Sequence, residues 1–437
     1  MNLLTEGIKG TQDMLPKDAY KWHYVENTVR DVAEKFGFRE IRTPVFEHTE
    51  LFSRGVGDTT DVVQKEMYTF NDKGDRSITL RPEGTAGVMR AALQHGLFND
   101  ALPIMSYYIT SCYRYEKPQA GRLREFHQFG VECIGTSSPV ADAEVILLAD
   151  QCLTRLGLTE ISLEINSIGC PTCRKKYTDA LKAYFESYKD ELCETCLSRL
   201  TRNPMRILDC KSPVCSKIAK DAPVILDYIC NECSEHFDKV KASLDAAGIS
   251  YIINPRIVRG LDYYSKTVFE FVSNSIGAQG TVCGGGRYDG LSEELGGPSL
   301  PSLGFAMGLE RILLAMEKAG CEFPTPETID VYIAAMGDNA APYAVGLCNK
   351  LRNEGFGAVT DIVGRGLKGQ MKYADKLGCK FSVVIGDNEL ETKTAVLKNM
   401  NTGERCDITL PDGLIEAIYE QNIKNAFDDL NASVEKF

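Results

Sequence analysis

The residues best suited to chemistry fall in one stretch, residues 107–134, YYITSCYRYEKPQAGRLREFHQFGVECI. Its composition reads as two strands around a turn. A β-branched and aromatic run covers 107–116, a turn with Pro118 and Gly121 covers 117–124, and a second strand covers 126–134. Side chains alternate along a strand, which places Arg114 and Glu116 on one face and Phe126, Gln128 and Glu132 on one face of the partner. A surface that collects an arginine, a ring, an amide and two carboxylates is unsuited to a dry core, because polar groups are costly to bury unpaired. It suits a ligand with phosphates, a flat ring and an amine. The turn cations Lys117, Arg122 and Arg124 could close over a polyphosphate through charge-assisted hydrogen bonds. Arg114 could hold a phosphate whose charge grows in a transition state. The bland alternative is a surface ribbon with solvated Arg–Glu pairs, and the ring, the amide and the cationic turn weaken it.

Three further clusters carry similar residue types. In Thr79-Leu80-Arg81-Pro82-Glu83-Gly84-Thr85, Pro82 is expected in the first turn of a helix, with Glu83, Gly84 and Thr85 at its start. Glu83 is then either a partner of the helix dipole or, with Thr85, the receiver of an ammonium group. In Val258-Arg259-Gly260-Leu261-Asp262-Tyr263-Tyr264 an Arg-Gly pair precedes tandem tyrosines, and glycine lets a backbone pass close to a ligand. Segments 284–290 and 304–311 are glycine-rich but fit neither a Walker A loop nor a dinucleotide fingerprint. Arg311, early in an apolar helix, is expected to meet an anion or stack on a ring.

The cysteines form another pattern. Eight of 16 lie between Cys170 and Cys233, as C-x2-C pairs Cys170/Cys173, Cys193/Cys196 and Cys230/Cys233, plus Cys210/Cys215. Such pairs are a common zinc arrangement, and eight thiols could hold two Zn²⁺ in four-thiolate sites, or one with several spectators.

These residues need a scaffold. Residues 18–35 have helical period, with Trp22, Val25, Val29, Val32 and Phe36 on one side. Across the first 320 residues strands run together and helices are segregated, which implies an α+β fold around an antiparallel sheet. The Cys-rich, Lys-rich stretch 170–248 reads as an inserted small domain, so the main domain is expected at 1–169 and 249–323. After a linker with Pro324 and Pro326, strands and helices alternate over 328–425, the pattern of a compact α/β domain with a mostly parallel sheet. Its Lys368, Lys372, Lys376 and Lys380 recur every four residues after Arg365, either as a solvated stripe or as phosphate contacts. A length of 437 residues sets a prior of roughly three domains. The net charge of −12 argues against general polyanion binding but not against a local basic surface. No apolar run approaches the ~20 residues of a membrane helix. No signal-peptide pattern is evident, so a cytoplasmic location with reduced thiols is expected.

Taken together, the clusters resemble the class II aminoacyl-tRNA synthetases, specifically the histidyl-tRNA synthetase family. Arg42-Thr43-Pro44 with its preceding helix is similar to motif 1. Tyr113-Arg114-Tyr115-Glu116 through Arg124-Glu125-Phe126-His127-Gln128 is similar to motif 2, and segment 304–311 to motif 3. Arg259-Gly260-Leu261-Asp262-Tyr263-Tyr264 and Gly285-Gly286-Arg287-Tyr288-Asp289 resemble the histidine-specific signatures. The resemblance spans essentially the whole chain.

What it implies can be stated residue by residue. Arg114 would hold the ATP α-phosphate, Glu116 the adenine edge, and Phe126 would stack on the base. Arg122 and Arg311 would clamp the outer phosphates with Mg²⁺. Glu83, Gly84, Thr85 and Gln128 would surround the α-amino group of histidine, and Glu132, Tyr263 and Tyr264 its imidazole. Arg259, with Arg114 and Gln128, would serve the reacting carboxylate and α-phosphate. The implied reaction forms histidyl-adenylate and pyrophosphate from histidine and ATP, then transfers histidine to the 3′ end of tRNA(His). The implied assembly is a homodimer, with 328–425 binding the anticodon. The cysteine pairs are not part of the family signature, so zinc rests on their spacing alone. A silent relative, the regulatory subunit of ATP phosphoribosyltransferase, is the rival reading. It generally lacks the C-terminal domain and tends to lose the motif 2 and 3 arginines, all present here.

Overall fold

The strand Ile104–Tyr113 pairs antiparallel with Glu125–Ile134 without a slip, from Ile104 opposite Ile134 to Tyr113 opposite Glu125. The structure is a computed structural model and describes residues 5–434 apart from 58–59, 61, 209, 211, 258–262, 274–279, 325 and 327, with side chains to 424. The hairpin lies in an eight-stranded sheet ordered Arg39–Glu40, Ile104–Tyr113, Glu125–Ile134, Ser302–Gly308, Thr281–Arg287, Ser265–Ser273, Ile161–Ser167, Ile252–Ile253. Neighbours are antiparallel except at the two ends, where the two-residue strands add in parallel.

Alternation divides the sheet into a packed face and an open face. Phe129, Val131 and Cys133 are buried with Leu303, Phe305 and Met307 from the neighbouring strand. Helices Ala19–Lys35, Pro139–Arg155 and Leu309–Ala319 cover that face. In the first helix, Val25, Val29 and Val32 form the inward stripe expected of a surface helix. Each such side chain contributes about 1.5–3 kcal/mol when fully buried. The intervening residues, Phe126, Gln128 and Glu132, are on the other face.

Two local expectations need correction. The first hairpin strand ends at Tyr113, so Arg114 and Glu116 do not share a strand face. The N–H of Glu116 donates to the Arg114 carbonyl at 2.8 Å, an i→i+2 turn that breaks the alternation. The helix after Pro82 starts at Thr85, with Gly84 at its N-cap and the Glu83 carboxylate accepting from the first two helical N–H groups.

Arg287, fully buried, faces away from the cavity described below. It pairs with Asp142 (Nε 2.8 Å from Oδ2) and donates to the Thr136 and Ser138 carbonyls at 2.8 and 2.7 Å. His236 lies 3.2 Å from the same Asp142. One guanidinium therefore joins a sheet strand, the loop before helix Pro139–Arg155 and, through Asp142, helix Asn231–Ala246.

Segment 170–248 is helical, with helices Pro171–Glu186, Glu194–Arg202, Pro213–Ala219 and Asn231–Ala246. Tyr177, Leu181, Phe185, Leu200 and Ile207 form an apolar core of its own. It belongs to the same compact unit as the sheet, and the chain divides between Pro324 and Thr325.

The second unit holds a five-stranded sheet ordered Ala358–Thr360, Val331–Ala335, Phe381–Ile385, Thr394–Asn399, Arg405–Thr409. The first three strands are parallel and the last two antiparallel. The sheet is thus mixed rather than mostly parallel, since the last two strands form a hairpin with no crossover helix between them. Lys368, Lys372 and Lys376 are exposed on helix Leu367–Lys376, whereas Lys380 pairs with Asp330 at 2.8 Å and Arg365 with Asp361 at 2.7 Å. Among the described residues no helix is long and apolar enough to cross a membrane.

Candidate active site

A cavity of about 400 Å³ opens on the unpacked side of the large sheet. Its volume is in the range of small-molecule sites. Glu83, Thr85, Arg114, Glu116, Arg122, Phe126, Gln128, Tyr263, Tyr264 and Arg311 line it. Segments more than 200 positions apart meet here because the strands that carry them are neighbours in the sheet. Gly84 and Glu132 are buried beside it. Arg259 lies outside the described residues.

One end of the site is acidic and aromatic. Glu132 is 1% exposed and lies beneath it, behind the lining residues Thr85 and Tyr288. Its Oε1 accepts from the Thr85 hydroxyl at 2.7 Å and from the Tyr108 hydroxyl at 3.3 Å, and its Oε2 accepts from the Tyr288 hydroxyl. Burial pushes the Glu132 carboxyl up to about 8, although these three donors act in the opposite direction. Glu83 accepts from the backbone N–H of Thr85 at 2.8 Å and of Ala86 at 2.9 Å. Glu83 is thus placed as a partner of the helix dipole, and its carboxylate also faces the cavity. Burial raises the Glu83 pKa, while those N–H bonds and the charge of Arg114 lower it. The rings of Tyr263 and Tyr264 lie 4.8 Å apart, and Tyr263 meets Tyr288 edge-on at 5.4 Å.

The other end is cationic. Arg114 donates from Nε to the Pro82 carbonyl at 2.8 Å and lies 5.4 Å over the Phe126 ring. Arg122 is ion-paired with Glu116. Arg311 donates to the Gly121 and Thr281 carbonyls at 3.1 and 2.9 Å. Burial lowers the Arg311 pKa, and the charges of Arg122 and Arg114 lower it further. Guanidinium groups remain protonated at any working pH, so three like charges converge on one space. That arrangement calls for an anion with several negative oxygens.

Glu310 links the two arginine-bearing segments. Its carboxylate accepts from the backbone N–H of His127 at 2.9 Å and lies 2.9 Å from the His127 ring nitrogen. Sequence reasoning gave no role to Glu310, Tyr108 or Tyr288. For Tyr108 a signal existed: it faces Gly130 across the hairpin, a large ring opposite a position with no side chain. Tyr288 lies two residues beyond the glycine run, after Arg287.

The insertion cysteines fall into two groups, Cys170, Cys173, Cys230 and Cys233, and Cys193, Cys196, Cys210 and Cys215. Within each group the four sulfurs lie within 4.8 Å of one another.

The cavity can hold a molecule with an ammonium and a small polar ring at one end, against a polyphosphate at the other. Comparison with known proteins shows the family. A family model described as histidyl-tRNA synthetase matches residues 10–196 and 212–312, and one described as anticodon binding domain matches 330–421. The chain is 56% identical to the histidine–tRNA ligase of Caldanaerobacter subterraneus subsp. tengcongensis over 97% of its length and all of that protein's. It is 56% identical to that of Acetivibrio thermocellus over 95% of its length and all of that protein's. The crystal structure of apo Staphylococcus aureus histidyl-tRNA synthetase superposes with a TM-score of 0.81 at 45% identity, covering 95% of this chain and 100% of that one. The chain belongs to the histidyl-tRNA synthetase family.

Proposed function

We infer that the protein is the ligase that activates histidine with ATP to histidyl-adenylate and pyrophosphate, then transfers histidine to the 3′ end of tRNA(His). The observation that carries this is the two-ended cavity, with buried Glu83 and Glu132 among tyrosines at one end and Arg114, Arg122 and Arg311 at the other.

The residue roles follow from that polarity. The ammonium of histidine sits between Glu83, Thr85 and Gln128, with Gly84 leaving room for the Tyr108 ring behind them. The imidazole lies against Tyr263 and Tyr264 over Glu132. Adenine stacks on Phe126 and meets Glu116, which exchanges its pairing with Arg122 for the base as Arg122 turns to the phosphates. Arg114 and Arg259 hold the α-phosphate and the attacking carboxylate, and Arg311 the outer phosphates. The carboxylate oxygen forms a bond to the α-phosphorus as the bond to pyrophosphate breaks. No covalent enzyme intermediate is needed, so positioning and charge neutralisation supply the rate. Mg²⁺ would neutralise the leaving phosphates, and Glu270 and Glu310, both lining the cavity, are oxygen donors of the type it takes. A pocket that satisfies both imidazole nitrogens rejects analogues lacking them by roughly 10⁴–10⁵.

Residues 1–169 and 249–323 are the catalytic domain, 170–248 an insertion and 328–425 the anticodon-binding domain. Structural Zn²⁺ on the insertion cysteines, a homodimer formed through the motif 1 region and a cytoplasmic location complete the reading. Charging of a tRNA(His) transcript with labelled histidine tests it. Stable acid-precipitable label that requires ATP is expected, and label with a different amino acid but not with histidine would remove the assignment.

A further inference from the structure

The first cysteine group stands at both ends of the insertion and next to the histidine end of the cavity. Cys170 lies three residues beyond strand Ile161–Ser167, where the insertion begins, and Cys230 and Cys233 open its last helix. Helices Pro171–Glu186 and Asn231–Ala246 start directly after Cys170 and Cys230, so two helix N-termini point at the same four sulfurs. The Cys230 N–H donates to the Cys173 sulfur at 3.0 Å. In the second group the Cys193 N–H donates to the Cys215 sulfur at 3.3 Å.

The spacing fits a metal better than a disulfide. Four thiolates at ~2.3 Å from a tetrahedral Zn²⁺ lie ~3.8 Å from one another. The Cys170–Cys173, Cys173–Cys233 and Cys193–Cys210 sulfurs are 3.5, 3.9 and 3.9 Å apart, well beyond the ~2.05 Å of an S–S bond.

One contact ties the first group to Tyr264 directly and three more hold Lys266, two residues further on. Arg174, the residue after Cys173, donates to the Tyr264 carbonyl at 2.8 Å. Lys266 exchanges backbone bonds with the insertion entry, its N–H to the Gly169 carbonyl at 3.0 Å and its carbonyl from the Ile168 N–H at 2.8 Å. The Lys266 ammonium pairs with Glu232, between Cys230 and Cys233, at 3.0 Å.

We propose that the insertion carries two four-thiolate Zn²⁺ sites, and that the first, on Cys170, Cys173, Cys230 and Cys233, is a clamp that fixes Tyr264 in the histidine pocket through Arg174. The clamp rests on the reading of this cavity as a histidine site; the metal sites do not. Arg174 is a positioning residue, acting on the amino acid through the Tyr264 backbone. The second site, on Cys193, Cys196, Cys210 and Cys215, closes the interior of the insertion.

The test combines metal counting with kinetics on the full-length, untagged protein. Elemental analysis should give about two zinc per chain, and one for the Cys230→Ser/Cys233→Ser variant. Substituted Co²⁺ should show thiolate charge-transfer bands. Less than half an equivalent, or one equivalent in the parent protein, overturns the two sites. Arg174→Ala, which leaves all eight thiols intact, should keep two zinc and raise KM for histidine about tenfold in pyrophosphate exchange, the scale of one hydrogen bond from a charged donor. KM for ATP should stay within about twofold, and Arg174→Lys should recover most of the loss. An unchanged histidine KM, or an equal rise in both KM values, overturns the clamp. Absence of histidine-dependent exchange in the parent protein would instead refute the functional reading and leave the zinc count standing.

Discussion

Tyr108 donates its hydroxyl to Glu132 at 3.3 Å through a space kept open by glycine at 84 and at 130. A β-carbon at either position would lie 2.3 Å from the Tyr108 ring. The floor of the histidine end is thus set by two absent side chains. Gly130→Ala should displace the ring, cost about 1–3 kcal/mol of stability as an overpacked site and weaken histidine binding at least ~10-fold. Urea unfolding and titration calorimetry check both. Wild-type histidine affinity in the variant would show that Tyr108 does not support the floor.

Burial of Glu132 makes stability depend on pH. Its folded value is about 8, against an ordinary 4.5. The folded state holds this proton more tightly, so the contribution is complete below about 4.5 and is lost as pH rises through about 8. Glu83 shifts in the same direction for the same reason. The ligand-free protein should therefore unfold more easily at about pH 8.5 than at about pH 6. Glu132→Gln should flatten much of that slope, and an unchanged slope would mean that Glu132 is already ionised near neutrality.

Arg311 acts at the other end. Its charge is held near Arg114 and Arg122 despite mutual repulsion, which an arriving polyphosphate relieves. Arg311→Ala should lower kcat/KM for ATP by ~10² or more while histidine affinity changes little, as expected for a group serving charge on the phosphates. Steady-state exchange kinetics at varied ATP separate this from a general folding loss, which would lower both.

Arg287 belongs to the scaffold rather than the cavity. Removing one partner of a buried ion pair leaves the other uncompensated and costs about 3–5 kcal/mol. Arg287→Ala should show a loss of that size in equilibrium unfolding, with Asp142→Asn somewhat milder because a neutral amide remains. A loss below about 1 kcal/mol would mean that the pair is dispensable.

Much of this arrangement was legible because strand periodicity is strict. Phe126 and Gln128 reach the cavity and Glu132 its floor from alternate positions, while Phe129, Val131 and Cys133 enter the core. Arg114 and Glu116 reach the cavity by a different route, since a tight turn, not a pleat, directs them, and composition does not report such turns. The Glu116–Arg122 pair was not legible because residue types do not report which cation of the turn folds back onto which carboxylate. Tyr288 and Glu310 were hidden by register: strand Ser302–Gly308 pairs with Glu125–Ile134 on one side and with Thr281–Arg287 on the other, and both pairings are needed to bring them to this site. The C-x2-C spacing gave the cysteine pairs, but which pairs share a site depends on how the helices pack.

The central claim, that one cavity joins histidine to ATP, is tested most directly by exchange of labelled pyrophosphate into ATP. The account predicts exchange that requires histidine and is abolished by Gln128→Ala or Arg114→Ala in protein that remains folded. Exchange driven by another amino acid in place of histidine, or full exchange in both variants, would contradict it.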